Sequence, residues 1–233
     1  MTRIFVDSVL EPGGVLELPP GETNHVHNVL RGRNGDFIEV VDGEGRLFTA
    51  RLRGGGEAGV VEELVAPDRA GVEISLYQAV PKGGRMDLVV EKVTEVGATR
   101  IVPLLAERGV VNPRGGKVER WRRVAEAAAR QALRLSVPEV AEPVRFEEAA
   151  SEVGERGVLL HNGSDLQPVE AVVGIPVSLF VGPEGGWSEG ELLFAEEAGI
   201  TFGGLGPYRL RSETAGIIAV ARTLAALESR GER

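Results

Sequence analysis

Residues 176–222 read PVSLFVGPEGGWSEGELLFAEEAGITFGGLGPYRLRSETAGIIAVAR. Two short apolar runs, 177–181 and 200–205, each end in glycine and proline, and each gives way to a helix-like segment. A loop rich in Gly and Pro at the end of a buried strand is where an α/β protein usually binds its ligand. Here there are two, Gly182-Pro183-Glu184-Gly185-Gly186 and Gly206-Pro207-Tyr208-Arg209-Leu210-Arg211-Ser212-Glu213-Thr214. Ser188 with Glu191 three residues on is a capping-box pattern, so a helix is expected to start near Ser188 and to stop at Gly199. Either loop alone also fits an ordinary strand–turn–helix connection. The pair makes a ligand site the sharper expectation.

Outward from this stretch the chain alternates. Strands are expected over 72–80, 101–105 and 158–161, and helices over 85–96, 117–135, 146–153 and 214–227. Met86, Val89, Val90, Val93 and Val96 fall on one helical face that Gly97 closes. Alternating strands and helices imply a largely parallel sheet covered on both faces. The composition turns to linker at 66–71, which divides the chain into domains 1–70 and 71–233. The first has strand-like runs at 4–6, 15–18, 37–41, 47–52 and 60–64, with one helical candidate at 22–30. Short strands at such spacing suggest a small β-barrel.

A chain of 233 residues with 42% apolar content can bury a core. No run reaches the length of a membrane span, the N-terminus lacks a signal-peptide core, and there is no cysteine, so a cytoplasmic protein without disulfides is expected. His25, His27 and His161 are the three histidines and form no metal-ligand pattern, so no metal is expected. No GxGxxG follows a strand, and neither a P-loop nor a GxSxG elbow is present. The net charge of −9 argues against non-specific coating of nucleic acid. Locally, however, Arg108, Arg114, Lys117, Arg120, Arg122, Arg123, Arg130 and Arg134 outnumber Glu119 and Glu126. That excess reads as a phosphate-facing surface or, alternatively, as a solvated helix.

VGPEGGWSEGEL and LGPYRLRSETA, with AVPKGGRMDLVVEKVTEVGATRIVPLLAERG and KVERWRRVAEAAARQALRLSVPEV upstream, resemble the bacterial 16S ribosomal RNA (uracil-N3)-methyltransferases of the SPOUT class. The resemblance implies an N-terminal PUA-like RNA-binding domain and an α/β domain whose C-terminal chain is threaded into a trefoil knot. It implies S-adenosylmethionine as cofactor, small-subunit ribosomal RNA or the assembled subunit as substrate, and a homodimer. The cofactor residues it implies are Leu160 and His161, then Val181, Gly182, Pro183, Glu184, Gly185 and Gly186, then Leu205, Gly206, Leu210, Ser212, Thr214 and Ala215. His161 also fits a turn cap. For RNA it points to Arg3, His25 and Arg31, beside the basic stretch with Arg108, Arg114, Lys117 and Arg120. The dimer interface is expected at the cofactor loops and the final helix (Ile217, Ile218, Val220, Leu224, Leu227), although that apolar face also suits intramolecular core. A non-catalytic RNA-binding or ribosome-assembly factor, or a knotted enzyme for another base or a ribose, stands as the alternative.

Uridine N3 carries a proton at neutral pH, and its loss spreads negative charge onto the flanking carbonyl oxygens. A cation beside those oxygens stabilises that charge. Arg211 is the candidate for this role, with a structural pairing as its alternative. Glu213 either accepts the proton or orients the arginine.

Overall fold

The structure is a computed structural model that describes residues 3–18, 23, 26, 33–53, 58–66, 72–111, 113, 115–163, 166–174 and 176–231. The chain divides into two compact units, Met1–Ala70 with Arg130–Ser136, and Gly71–Ala129 with Val137–Arg233.

The first unit is built on strands β1 (Arg3–Phe5), β2 (Val15–Glu17), β3 (Phe37–Val41), β4 (Leu47–Arg53) and β5 (Ala58–Ala66). They form one sheet in the order β1-β3-β4-β5-β2, antiparallel except where β1 meets β3. Ile4, Val40, Phe48 and Leu52 alternate inward from their strands and fill the core. Asp42 closes the β3–β4 turn. Its carboxylate accepts from the backbone N–H of Glu44 at 3.0 Å and of Arg46 at 2.9 Å, and from the Arg46 guanidinium at 2.7 Å. The expected helix at 22–30 lies almost wholly outside the described residues.

The second unit carries β6 (Ile74–Ala79), α1 (Met86–Val96), β7 (Arg100–Leu105), α2 (Lys117–Gln131, except for its last two residues), β8 (Glu139–Val140), β9 (Val144–Arg145), α3 (Phe146–Val153), β10 (Gly157–Leu160), α4 (Val169–Val172), β11 (Val177–Val181), α5 (Glu189–Glu197), β12 (Thr201–Gly203) and α6 (Ser212–Ser229). The sheet order is β12-β10-β11-β6-β7-β8, with β9 also on β7, and every pairing is parallel. Side chains alternate between its faces. Ile74, Leu76, Ile101 and Leu179 pack with α1 and α6, while Tyr77, Val102 and Phe180 pack with α3 and α5. Tyr77 and Phe180 are register partners across β6 and β11, and their rings stack at 4.6 Å. The expected capping box at Ser188 and Glu191 is present.

Two features depart from the sequence reading. The helix expected over 117–135 stops at Gln131, because Leu133 turns to φ 56°. The short strands β8 and β9 and the single-turn helix α4 are additions, each too brief to show a periodicity. Among the described residues, no helix is long and apolar enough to cross a membrane.

Candidate active site

Strands β12, β10 and β11 are neighbours in the sheet, and their carboxyl ends open side by side. The loops after them enclose a cavity of about 350 Å³. In an open parallel sheet this is the edge at which ligands sit. Leu160, Val181, Leu205, Leu210 and Ala215 give it apolar walls.

Its shape is fixed by a few polar ties. The Trp187 indole N–H donates to the carbonyl of Leu160 at 3.0 Å, which lays the buried ring over Gly182. A Cβ on Gly182 would stand 2.9 Å from Cε2 of that ring, so only glycine fits there. Ser212, at the start of α6, donates its hydroxyl to the Gly182 carbonyl at 2.7 Å. The buried Gln78 amide donates to Ser212 Oγ at 2.8 Å and to the Ala79 carbonyl at 3.0 Å. Its Oε1 has no hydrogen-bond partner, and a Cβ on Gly216 would come within 2.2 Å of it. Ser212 thus links the two glycine-rich loops, Gln78 of β6 holds Ser212 in place, and Gly216 lets α6 approach Gln78.

A second set of ties runs through charge. Glu184 Oε1 accepts the Lys82 backbone N–H at 3.0 Å, and the guanidinium of Arg85 lies 3.9 Å from it. Arg85 Nε also lies 3.4 Å from Glu213 Oε1, so this arginine bridges a carboxylate on each loop. Arg209 donates to the Glu184 carbonyl at 2.9 Å.

Of the residues expected to hold a cofactor, Leu160, His161, Val181, Gly182, Pro183, Glu184, Gly186, Leu205, Leu210, Ser212 and Ala215 line the cavity. Gly185, Gly206 and Thr214 do not. Gly185 is turned outward, with its carbonyl 3.4 Å from Arg108 Nη1. Gly206 faces a neighbouring cavity, and Thr214 is exposed on the first turn of α6. Arg211 is exposed and stands on the cavity wall. Glu213 is buried behind the wall, on Arg85, and its Oε2 has no hydrogen-bond partner. Sequence reasoning did not place Asn162 or Trp187 on the wall, and it named Arg209 only as part of the second loop. Asn162 and Trp187 directly follow predicted pocket residues, so carrying each loop one residue further finds them.

The residues expected to meet RNA have different surroundings within their own units. Arg3 is buried in the first unit, where it donates to Glu39 at 2.8 Å and to the carbonyls of Leu133 and Arg134. That geometry makes it a tie within the unit. Arg120 pairs with Asp87, which also accepts the Trp121 indole N–H at 3.1 Å. Lys117 is exposed. His25, Arg31 and Arg114 lie outside the described residues. In the final helix Val220 and Leu227 are fully buried, Ile217 and Leu224 pack on the same core, and Ile218 is 36% exposed. Most of that apolar face is therefore intramolecular core. Among the described residues no cluster of His, Asp or Glu could hold a metal ion.

Comparison with known proteins fits this geometry. A family model described as an RNA methyltransferase domain matches residues 68–224, and one described as an RNA methyltransferase PUA domain matches residues 18–61. The ribosomal RNA small subunit methyltransferase E of a Synechocystis species is 33% identical over 95% of this chain and 78% of its own length. This chain belongs to that methyltransferase E family. The Bacillus subtilis member is 28% identical over 95% of both chains. Among solved structures, the Neisseria gonorrhoeae member of the family, bound to S-adenosylmethionine, superposes with a TM-score of 0.83 at 31% identity, covering 99% of this chain and 98% of its own. A methyltransferase of Legionella pneumophila with bound S-adenosylmethionine gives 0.84 at 31% identity, covering 97% and 98%.

Proposed function

We propose that this protein methylates N3 of a uridine in the decoding region of 16S ribosomal RNA, with S-adenosylmethionine as the methyl donor. The observation that carries the reading is the placement of Arg211 on the wall of a largely apolar cavity formed at three parallel strand ends. The cavity suits the cofactor. Its volume of about 350 Å³ falls within the roughly 300–1,000 Å³ of small-molecule pockets. The Gln78–Ser212–Gly182 ties hold backbone, rather than long flexible side chains, against whatever binds.

When bound, the cofactor supplies a methyl carbon on a sulfonium. N3 would take that carbon as the deprotonated base, its proton having passed to solvent before the site is closed. The residues of this chain then have three tasks. They hold the two reactants in line, they exclude water, and they place the Arg211 cation beside the carbonyl oxygens that carry the charge of the deprotonated base. Glu213, buried on Arg85, is assigned the task of holding Arg85 between the two loops, and not that of orienting Arg211.

With this reading go a trefoil knot in the second unit, a barrel-like RNA-binding first unit, a cytoplasmic setting and a homodimer. Sedimentation at micromolar concentration tests the dimer, and a monomer there rejects it. The test of function is incubation of the protein and S-adenosylmethionine with small subunits that lack the modification, followed by mass spectrometry of the nucleosides. 3-Methyluridine is the expected product. A methylated ribose or another methylated base would replace this reading, and no product at all would favour a non-catalytic assembly factor.

A further inference from the structure

Beside the cofactor cavity lies a second one of about 680 Å³, walled by Asn162, Leu166, Pro207, Tyr208, Arg209 and Arg222. Asn162 and Arg209 belong to the walls of both cavities. A methyl acceptor must lie against its donor, so a chamber that shares part of its wall with the donor's chamber is the place for it. We propose that this second cavity is the acceptor subsite, with Tyr208 as the stacking platform for the base and Asn162 and Arg209 as the pair that selects uracil. The inference rests on the function proposed above and assigns its substrate contacts.

The chemistry of the shared wall fits uracil. N3 of uracil lies between two carbonyl oxygens. A site that offers a donor to each oxygen leaves N3 facing the gap between them. Asn162 and Arg209 both carry N–H donors, and both stand where the two cavities meet. Among the described residues nothing bonds the Asn162 amide, and the guanidinium of Arg209 is anchored by one bond, to the Glu184 carbonyl. Cytosine presents an amino group in place of one of those oxygens, so two donors that fit uracil leave one donor facing another. The remaining cation of this wall, Arg222, is held bidentately by Glu170, so Arg209 is the cation of the wall left to bond one oxygen, whose second lone pair can still face Arg211 from the first cavity.

Tyr208 supplies the face. It is 81% exposed, the most exposed large apolar or aromatic side chain among the described residues, and it stands on the cavity wall. An aromatic ring that contributes nothing to the core and borders a ligand chamber suits a base taken out of its own stack.

The experiment uses the full-length protein with small subunits that lack the modification, and separately measures S-adenosylmethionine affinity by calorimetry. Tyr208→Ala is expected to lower kcat/KM for the subunit roughly 5- to 100-fold, the scale of one lost base–aromatic stack, with cofactor Kd within about twofold of wild type. Tyr208→Phe keeps the ring and should restore the rate, whereas Tyr208→Leu should not. Because Tyr208 is so exposed, misfolding does not explain a loss in these variants. An unchanged rate in Tyr208→Ala, a failure of phenylalanine to rescue, or an equal fall in cofactor affinity overturns the assignment. Photocrosslinking of 5-iodouridine-substituted small-subunit RNA, read by peptide mass spectrometry, tests the same contact without turnover. The crosslink is expected at Tyr208, and its absence there rejects the subsite. A crosslink at Tyr208 without any methylated product would keep the subsite and remove the proposed activity. Methylation without that crosslink would do the reverse.

Discussion

At the scale of the residue, the site separates groups that shape a cavity from groups that act in it. Gly182 shapes it. A valine there would drive its side chain into the Trp187 ring, which the Leu160 carbonyl holds in place. Gly182→Val is therefore expected to weaken S-adenosylmethionine binding at least tenfold by calorimetry, and unchanged affinity would show that the loop does not contact the cofactor. Arg211 acts. It is exposed on the wall, and among the described residues nothing bonds its guanidinium. Its side chain takes part in none of the cavity ties. Arg211→Ala should keep cofactor affinity near wild type while single-turnover methylation falls about 10²-fold or more, the scale of one preorganised charge-stabilising donor. Normal turnover in that variant excludes the role. Loss of folding would instead give Arg211 a structural task.

At the scale of the element, stability rests on turns as well as on packed faces. Burial pushes the Asp42 carboxyl up, but hydrogen bonds from the Arg46 side chain and from the backbone N–H groups of Arg46, Leu10 and Glu44 outweigh it and hold the group below its ordinary value. A depressed folded-state value means that the stabilisation is complete above the unfolded value of 3.8 and is lost as pH falls through the folded one. Asp42→Asn should thus cost the first unit about 1–3 kcal/mol at pH 7 in denaturant unfolding, with the gap to wild type closing below pH 3.8. A gap that persists undiminished in acid would show that the charge is irrelevant. The same scale explains what could be read in advance. The apolar runs of β6, β7, β10 and β11 and the capped start of α5 carry strong local signals, so these elements were legible. The strands β8 and β9 span two residues each and exist through their pairing with β7. That pairing is a tertiary fact with no local pattern. The end of α2 was missed for a related reason, since 132–135 keep helix-favouring composition while Leu133 takes a left-handed turn. In the site, glycine and proline marked where the loops lie. Nothing in the sequence said that Trp187 would fold back over Gly182, or that Glu213 would turn away from the cavity toward Arg85.

At the scale of the whole molecule, an acidic chain has to meet a polyanion. The formal charge is −9, so approach to RNA must depend on where uncommitted cations stand rather than on the total. The basic stretch of the sequence shrinks once its partners are counted. Arg120 is held by Asp87, and Arg122 by Glu119 and Glu142. Lys117 and Arg123 are exposed on α2 and, among the described residues, have no bonded partner. They lie six residues apart, on neighbouring helical positions to either side of Arg120. If α2 faces phosphate, these two carry the contact. Each phosphate neutralised contributes about 0.7–0.9 to the slope of log affinity against log salt. Lys117→Ala with Arg123→Ala should therefore lower that slope by about 1.5 in filter binding of small-subunit RNA between 50 and 200 mM salt. Arg120→Ala alone should change it by less than one such contact, because that guanidinium is already shared with a carboxylate. The double variant should leave S-adenosylmethionine affinity untouched, since neither residue borders the cofactor cavity. A slope unchanged by the double variant would remove α2 from the RNA-facing surface. An Arg120→Ala slope equal to that of the double variant would mean that RNA displaces Asp87 and takes the arginine for itself.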